Sequence, residues 1–262
     1  MSPLRDFPFA ARPMIVAHRG DTSLGAVENS IEAASAALIS GADMIEVDVQ
    51  WTADEVFVCW HDERHPALEA PIHQSLWADV EAAGVTSLIE LLELGRGRTY
   101  FNLEVKEYSA RDPKPFMHQL VELCHRAQVS DHALISSFRP DYIREAGWTI
   151  PTCIIHPDRD MYGLFTMRAY EDPIILERPL ESYLPSELMK LSHATGYGCQ
   201  ISELTPAAVA EIRSRNILLG VYTITTEEEF DQAVERGARV LVCETPQVFA
   251  ALRNKRFPIH AE

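Results

Sequence analysis

The segment GADMIEVDVQWTADEVFVCWHD, residues 41–62, sets two carboxylates, Glu46 and Asp48, inside an apolar run and closes the next run with His61. Residues two apart on a strand share a face, so these acids point one way while Ile45, Val47 and Val49 point the other. Two carboxylates side by side in poorly solvated surroundings are costly unless one keeps a proton or a cation offsets them. The run YFNLEVK, residues 100–106, repeats the device, with Glu104 and Lys106 on one face. Three carboxylates from two strands make an oxygen ligand set for a hard divalent ion such as Mg²⁺ or Ca²⁺. Lys106 beside them offers positive charge to an anion. His18 ends the first apolar run, in AHRG at 17–20, with Arg19 and Gly20 following. Imidazoles titrate near neutral pH and suit proton transfer.

Such a constellation needs strands that end at one place. Short apolar runs at 14–18, 43–49, 100–106, 132–138, 151–156, 197–202, 218–224 and 239–243 alternate with helix-like segments. The helices are expected near 29–39, 86–94, 115–127, 140–146, 186–194, 206–215, 226–236 and 246–253. Asn29 or Ser30 is the expected N-cap of the first helix and Gly41 its stop. Strand–helix alternation predicts a parallel sheet with helical crossovers, and eight such units in 262 residues predict a closed (β/α)8 TIM barrel. Polar residues at the C-terminal ends of barrel strands read as catalytic. Two short apolar runs, 56–60 and 173–178, fall outside the repeat. The gap between Val49 and Val56 is too short for a helical crossover, so a hairpin is expected that returns His61 towards Glu46 and Asp48. An open doubly wound sheet is the competing architecture, but no GxGxxG turn follows the first strand. A single domain over 1–262 is expected, with a small insertion after the second strand, at about 63–85, bordering the site.

The formal charge is −16, which disfavours nucleic acid and anionic membrane surfaces as partners. A small anionic substrate would then need a metal or a focused Arg/Lys pair to invert the local sign. Five cysteines without a CxxC pair argue against a zinc knuckle and for a reducing compartment. With neither a signal-like start nor an apolar run of about 18 residues, a cytoplasmic location without stable membrane association is expected. A monomer and a homodimer are equally compatible with the composition.

Taken together, these motifs resemble those of the glycerophosphodiester phosphodiesterase family, among the phospholipase-C-like phosphodiesterase barrels. The family opens with a strand ending in HRG, a PEN-type turn, GADxIExDV and TxDGxxVxxHD. This chain reads AHRG at 17–20, VEN at 27–29, GADMIEVDV at 41–49, TADEVFVCWHD at 52–62 and LEVK at 103–106. SSF at 136–138, GVYTI at 220–224 and VCETP at 242–246 are further matches. The resemblance implies metal-dependent hydrolysis of glycerophosphodiesters to glycerol 3-phosphate and an alcohol, with Mg²⁺ or Ca²⁺ as cofactor. It implies Glu46, Asp48 and Glu104 as metal ligands and His18 and His61 as general acid and base. Arg19 and Lys106 would bind the phosphate. Glu28 and Asn29 would brace the site, and Tyr222 is a candidate for substrate contact.

The chain departs from the family pattern at Val27 for proline, Glu55 for the hairpin glycine, Tyr222 for tryptophan and Glu244 for the aspartate of TDxP. The segment after His61 also differs, which bears on substrate choice. One rival reading is a lysophospholipase D-like enzyme acting on a lipid or sugar phosphodiester, for which an exposed apolar rim at 63–85, with Leu76 and Trp77, would speak. Another is a barrel isomerase or aldolase using Lys106. A third is a non-catalytic barrel that binds a phosphate ligand. The plain alternative for Glu104 and Lys106 is a structural ion pair.

Overall fold

The computed structural model describes residues 12–106, 112–146, 149–156 and 182–258. Ten strands form one sheet: β1 Met14–Ala17, β2 Met44–Trp51, β3 Phe57–Cys59, β4 Thr86–Ser87, β5 Tyr100–Val105, β6 Ala133–Ser137, β7 Thr152–Ile155, β8 Gly196–Gln200, β9 Leu218–Ile224 and β10 Val240–Cys243. Eight are parallel, in the order β1-β10-β9-β8-β7-β6-β5-β2, and β1 also pairs with β2, so the sheet closes into a barrel. At its base Asp43 accepts from the Ile15 backbone N–H (2.8 Å) and pairs with Arg253 of the last helix.

The helices are α1 Ile31–Ser40, α2 Trp77–Ala82, α3 Leu88–Gly95, α4 Pro113–Arg126, α5 Pro140–Glu145, α6 Pro185–Ser192, α7 Pro206–Arg215, α8 Glu227–Glu235 and α9 Pro246–Arg256. Ser30 is the N-cap of α1 through a bond from the Ala33 N–H, and Gly41 ends it in the left-handed region. Thr205 and Thr226 cap α7 and α8 in the same way. Proline occupies the first helical position of α4, α5, α6, α7 and α9, where its missing N–H costs nothing.

Strand alternation divides the apolar residues as expected. Ile45, Val47 and Val49 join an outer core with Ala34, Leu91 and Phe116 beneath the helices. Met14, Val16, Met44, Leu134 and Val240 plug the barrel floor. Two runs depart from the expected pattern. Residues 86–94 do not begin as helix: Thr86 and Ser87 pair with Cys59 and Val58 as β4, and α3 starts at Leu88. The strand expected at 197–202 ends at Gln200 and tightens into a 3₁₀ turn at Ile201–Glu203. The apolar run at 173–178 lies outside the described residues. The last helix continues to Arg256, three residues beyond its expected end. No helix among the described residues is long and apolar enough to cross a membrane.

Between β3 and β4, the segment packs on itself. Val58, Ile72, Val80 and Val85 form a small core against which Trp60, Leu68 and Trp77 rest. Leu76 is the one large hydrophobic residue of 63–85 that is strongly exposed, so no continuous apolar rim runs along it.

Candidate active site

The C-terminal ends of β1, β2, β5 and β10 converge, and the predicted charged residues meet there. Glu46 and Asp48 are each 1% exposed, as two inward-facing acids on an interior strand must be. β5 lies beside β2 with Glu46 opposite Asn102 and Asp48 opposite Glu104. Oxygens of Glu46, Asp48 and Glu104 all lie within 4.8 Å of one another. Lys106, 5% exposed, stands among them, its Nζ 2.7 Å from Asp48 Oδ1 and in a short contact with Glu104 Oε1. Burial alone would lower the Lys106 pKa, but the charges of Glu104 and Asp48 raise it, so the ammonium is held.

The same field acts in opposite senses on the two acids of β2. Burial, reinforced by repulsion from Asp48, raises Glu46 to about 8. Asp48 is buried as deeply, yet Lys106 and Arg19 hold it below the ordinary carboxylate range. Lys106 and Arg19 both lie against Asp48, so with all three carboxylates ionised one negative charge is left over, and the raised Glu46 is where it goes uncompensated. Glu46 Oε1 is buried with no hydrogen-bond partner among the described residues. An all-oxygen cluster with that excess charge and an unmet acceptor fits a divalent cation.

The loop from β1 to α1 brackets these acids. Arg19 has φ 54 and Gly20 φ 87. A Cβ at Gly20 would come within 2.7 Å of the Ala33 backbone, so the turn admits only glycine. The Arg19 N–H donates to Glu46 Oε2 at 2.7 Å. Its guanidinium lies between Glu28, bound through Nη1 to both oxygens at 3.0 Å, and Asp48, 3.2 Å from Nε. Asn29 donates from Nδ2 to Asp48 Oδ2 at 2.7 Å and accepts the Asp48 backbone N–H at 3.0 Å. Glu28 and Asn29 therefore touch the charged cluster directly.

The two histidines differ in setting. His18 shares its Nδ1 with Glu244 Oε1 at 2.5 Å and turns Nε2 towards Glu46 Oε2, 3.9 Å away. Burial would lower its pKa, but the Glu244 hydrogen bond and the Glu46 charge raise it to about 9. Glu244 is lowered in turn by that bond. The β2–β3 hairpin forms as expected, pairing Val49 with Cys59. The Trp60 N–H bonds to the Asp48 carbonyl at 3.1 Å, which fixes the entry of His61 beside the acids. His61 sits at the surface with Nδ1 2.7 Å from Asp62 Oδ1. Glu55, in the hairpin turn, has φ 64, a conformation suited to glycine.

Tyr222 lines the same cavity and donates its hydroxyl to the His156 carbonyl at 3.0 Å, with Phe138 edge-on to its ring. Spacing along the chain gave little warning of several neighbours of the predicted set. Glu244 pairs with His18 across 226 positions, a contact made only because the last strand of a closed barrel lies beside the first. Asp62 holds His61; Ser136 faces the cavity level with Glu104, and Asn102 faces it one inward position below. The signals available for these were an acid just past the last strand, the HD dipeptide, and polar residues in apolar strands.

The model of the glycerophosphoryl diester phosphodiesterase family matches residues 18–248. Among curated proteins, a glycerophosphodiester phosphodiesterase of Caldanaerobacter subterraneus subsp. tengcongensis is 23% identical over 261 residues, covering 93% of this chain and 99% of that protein. A crystal structure of a glycerophosphodiester phosphodiesterase from Parabacteroides distasonis superposes with a TM-score of 0.76 at 18% identity, over 94% of this chain and 98% of the other. A phosphodiesterase from Oleispira antarctica, solved with its product sn-glycerol-3-phosphate, superposes with a TM-score of 0.69 at 18% identity, over 92% and 96%.

Proposed function

This chain belongs to the glycerophosphoryl diester phosphodiesterase family, and on that premise we propose that it hydrolyses glycerophosphodiesters to glycerol 3-phosphate and an alcohol by a metal-dependent route. The observation that carries the reading is the convergence of Glu46, Asp48, Glu104, Lys106, Arg19 and His18 at one end of the barrel, with His61 delivered by the hairpin.

Glu46, Asp48 and Glu104 would hold one Mg²⁺ or Ca²⁺, which when bound supplies positive charge against a phosphoryl oxygen. Lys106 and Arg19 add their own. Arg19 Nη1 donates to Glu28, Nε lies 3.2 Å from Asp48 in an ion pair without a hydrogen bond, and Nη2 makes no hydrogen bond among the described residues. That nitrogen is left for a phosphate oxygen, in a guanidinium already fixed in place. Fixed donors cost no reorganisation as charge grows on the phosphoryl group.

His18 and His61 serve as the acid and base pair. One imidazole accepts the proton of the attacking oxygen and the other protonates the leaving alkoxide. Glu244 fixes the ring of His18 by its Nδ1 and so aims Nε2 into the cavity. Asp62 holds the ring of His61 by its Nδ1. Glu28 and Asn29 brace Arg19 and Asp48.

The test is product release from choline, ethanolamine, inositol and glycerol forms of glycerophosphodiester, with Mg²⁺, Ca²⁺ or EDTA. We expect release of glycerol 3-phosphate that EDTA abolishes and that Glu46→Ala and His18→Ala each lose. Full turnover in EDTA would overturn the metal assignment. No turnover of any member by metal-loaded protein would overturn the substrate class.

A further inference from the structure

Gln50 follows Glu46 and Asp48 along β2 at the strand period of two and shares their face, yet it carries no charge. It is fully buried, and its register partner on β3 is Val58 of the small apolar core. Its Nε2 donates to two carbonyls, that of Trp60 at 2.7 Å and that of Asp62 at 2.8 Å. Both acceptors are backbone oxygens, so only the NH₂ end of the amide can face them, one hydrogen for each. Oε1 is left buried with no hydrogen-bond partner among the described residues. Buried polar atoms are almost always paired. An apolar residue of the same length would carry no unmet acceptor, so what Gln50 adds at this position is the pair of bonds.

Those bonds fall on the residues either side of His61. The imidazole is 37% exposed, and the carboxylate that bonds its Nδ1, Asp62, is 71% exposed. An ion pair so open to solvent is a weak anchor. The backbone is held more firmly. The Trp60 N–H donates to the Asp48 carbonyl at 3.1 Å, and the Ile72 N–H donates to the Glu63 carbonyl at 3.0 Å. Gln50 holds the two carbonyls between them, those of Trp60 and Asp62. The β3 ladder ends at Cys59, so these bonds take over where the sheet stops. Those from Gln50 tie the segment to the strand that carries Glu46 and Asp48. One rigid element thereby sets the distance between the acids and His61.

We propose that Gln50 is a positioning residue: by clamping the carbonyls on both sides of His61 to β2, it holds the imidazole at working distance from the carboxylate cluster. The inference rests on the function proposed above, in which His61 moves a proton, and adds to it a residue that acts through His61. Proton transfer by a placed side chain contributes about a hundredfold to ten-thousandfold in rate, and a misplacement of about 1 Å can forfeit about a hundredfold.

The test is a double-mutant cycle. Gln50→Met keeps the length of the side chain and loses both donors. It is made in wild-type and His61→Ala backgrounds, and kcat and KM are measured in Mg²⁺ for the best-cleaved member of the diester panel, well below each melting temperature. In the wild-type background we expect kcat to fall by about tenfold to a hundredfold, with KM changed by about twofold or less. In His61→Ala the same substitution should cost about twofold or less, because the group it positions is gone. Gln50→Asn, whose amide stops one carbon short of the carbonyls, should follow Gln50→Met and replaces it if that variant does not fold. Amide hydrogen exchange gives a readout free of turnover. The Trp60 N–H should lose protection by about tenfold or more in Gln50→Met, while amides within the β2–β5 pairing keep theirs. Equal losses of kcat in the two backgrounds would overturn the proposal, since a general weakening of the fold does not depend on His61. So would wild-type kcat in a folded variant, or unchanged protection of Trp60. The exchange result stands whether or not the diester panel turns over, so failure of the clamp and failure of the substrate class are separable.

Discussion

Strands β2 and β5 devote their inward positions to Glu46, Asp48, Asn102 and Glu104, whereas β8 and β9 offer Gly198 and Gly220 at the same interior. The contrast is one of constraint. Every charged group on the first side is tied to others: Asp48 alone is contacted by Asn29, Arg19 and Lys106. On the second side Gly198 and Gly220 carry no side chain to bond, and there is room for a methyl group at Gly220. A site that must concentrate charge has to be over-determined, because each uncompensated buried charge is severely destabilising. The barrel separates dense charge from open space by strand.

That contrast can be broken at several points. The largest expected effect is on activity. Asp48→Asn removes a proposed ligand and the counter-charge of two cations, and should lower kcat/KM by about a thousandfold or more, in line with losing several kcal/mol of electrostatic stabilisation. Gly220→Ala should keep the wild-type melting temperature and lose far less. Comparable losses in both variants would erase the distinction between the two sides.

Lys106→Met tests whether the charged side is held by mutual compensation. Removing one partner of a buried pair costs about 3–5 kcal/mol, which urea melts in EDTA would detect. Mg²⁺ should recover more stability in the variant than in wild type, since it offsets carboxylates that have lost their ammonium. Identical melts for variant and wild type would mean that Lys106 carries no such load.

The His18–Glu244 pair gives a pH signature in metal-free protein. The folded-state value of about 9 lies above the ordinary 6.5, so the pair's stabilisation is fully present below about pH 6.5 and is lost as pH rises through about 9. The linked energy is on the order of 3 kcal/mol. NMR titration of the imidazole should find the raised value in wild type and a fall towards 6.5 in Glu244→Gln. An unshifted titration in that variant would assign the effect to Glu46 alone.

The smallest effect concerns the turn that delivers His61. Glu55 occupies a left-handed conformation that costs a side-chain-bearing residue about 1–2 kcal/mol, offset in part by a 3.1 Å bond from Gln119. Glu55→Gly should raise stability by about 1 kcal/mol or less, with kcat/KM unchanged. A loss of stability would show that the Gln119 contact outweighs the backbone preference.

Much of the charged side was legible in the sequence, and the glycine side was not. Acids at Glu46, Asp48 and Glu104 interrupt apolar runs, and such interruptions demand a reason; the period of two then fixes their direction. Gly198 and Gly220 interrupt nothing, because a glycine in a strand carries no sign of whether space or backbone geometry is at stake. The helix caps were readable from Ser30 and Gly41, which act locally. Thr86 and Ser87 were misread as helix because their strand character comes from a partner, β3, nearly thirty positions earlier. Glu244 needed knowledge that the barrel closes between β1 and β10. Local chemistry is written in order along the chain, while pairing across the closure is a property of the folded ring.

The alternation on β2 has a consequence for how such a chain tolerates change. With acids and valines on opposite faces of one strand, a single-residue insertion or deletion between Met44 and Asp48 would turn Val47 into the mouth and the carboxylates under the helices. Point substitutions there grade the activity, but any change of length reverses the strand. Changes of length are therefore to be expected in connections such as the one between β3 and β4 rather than along the strands that carry the charge.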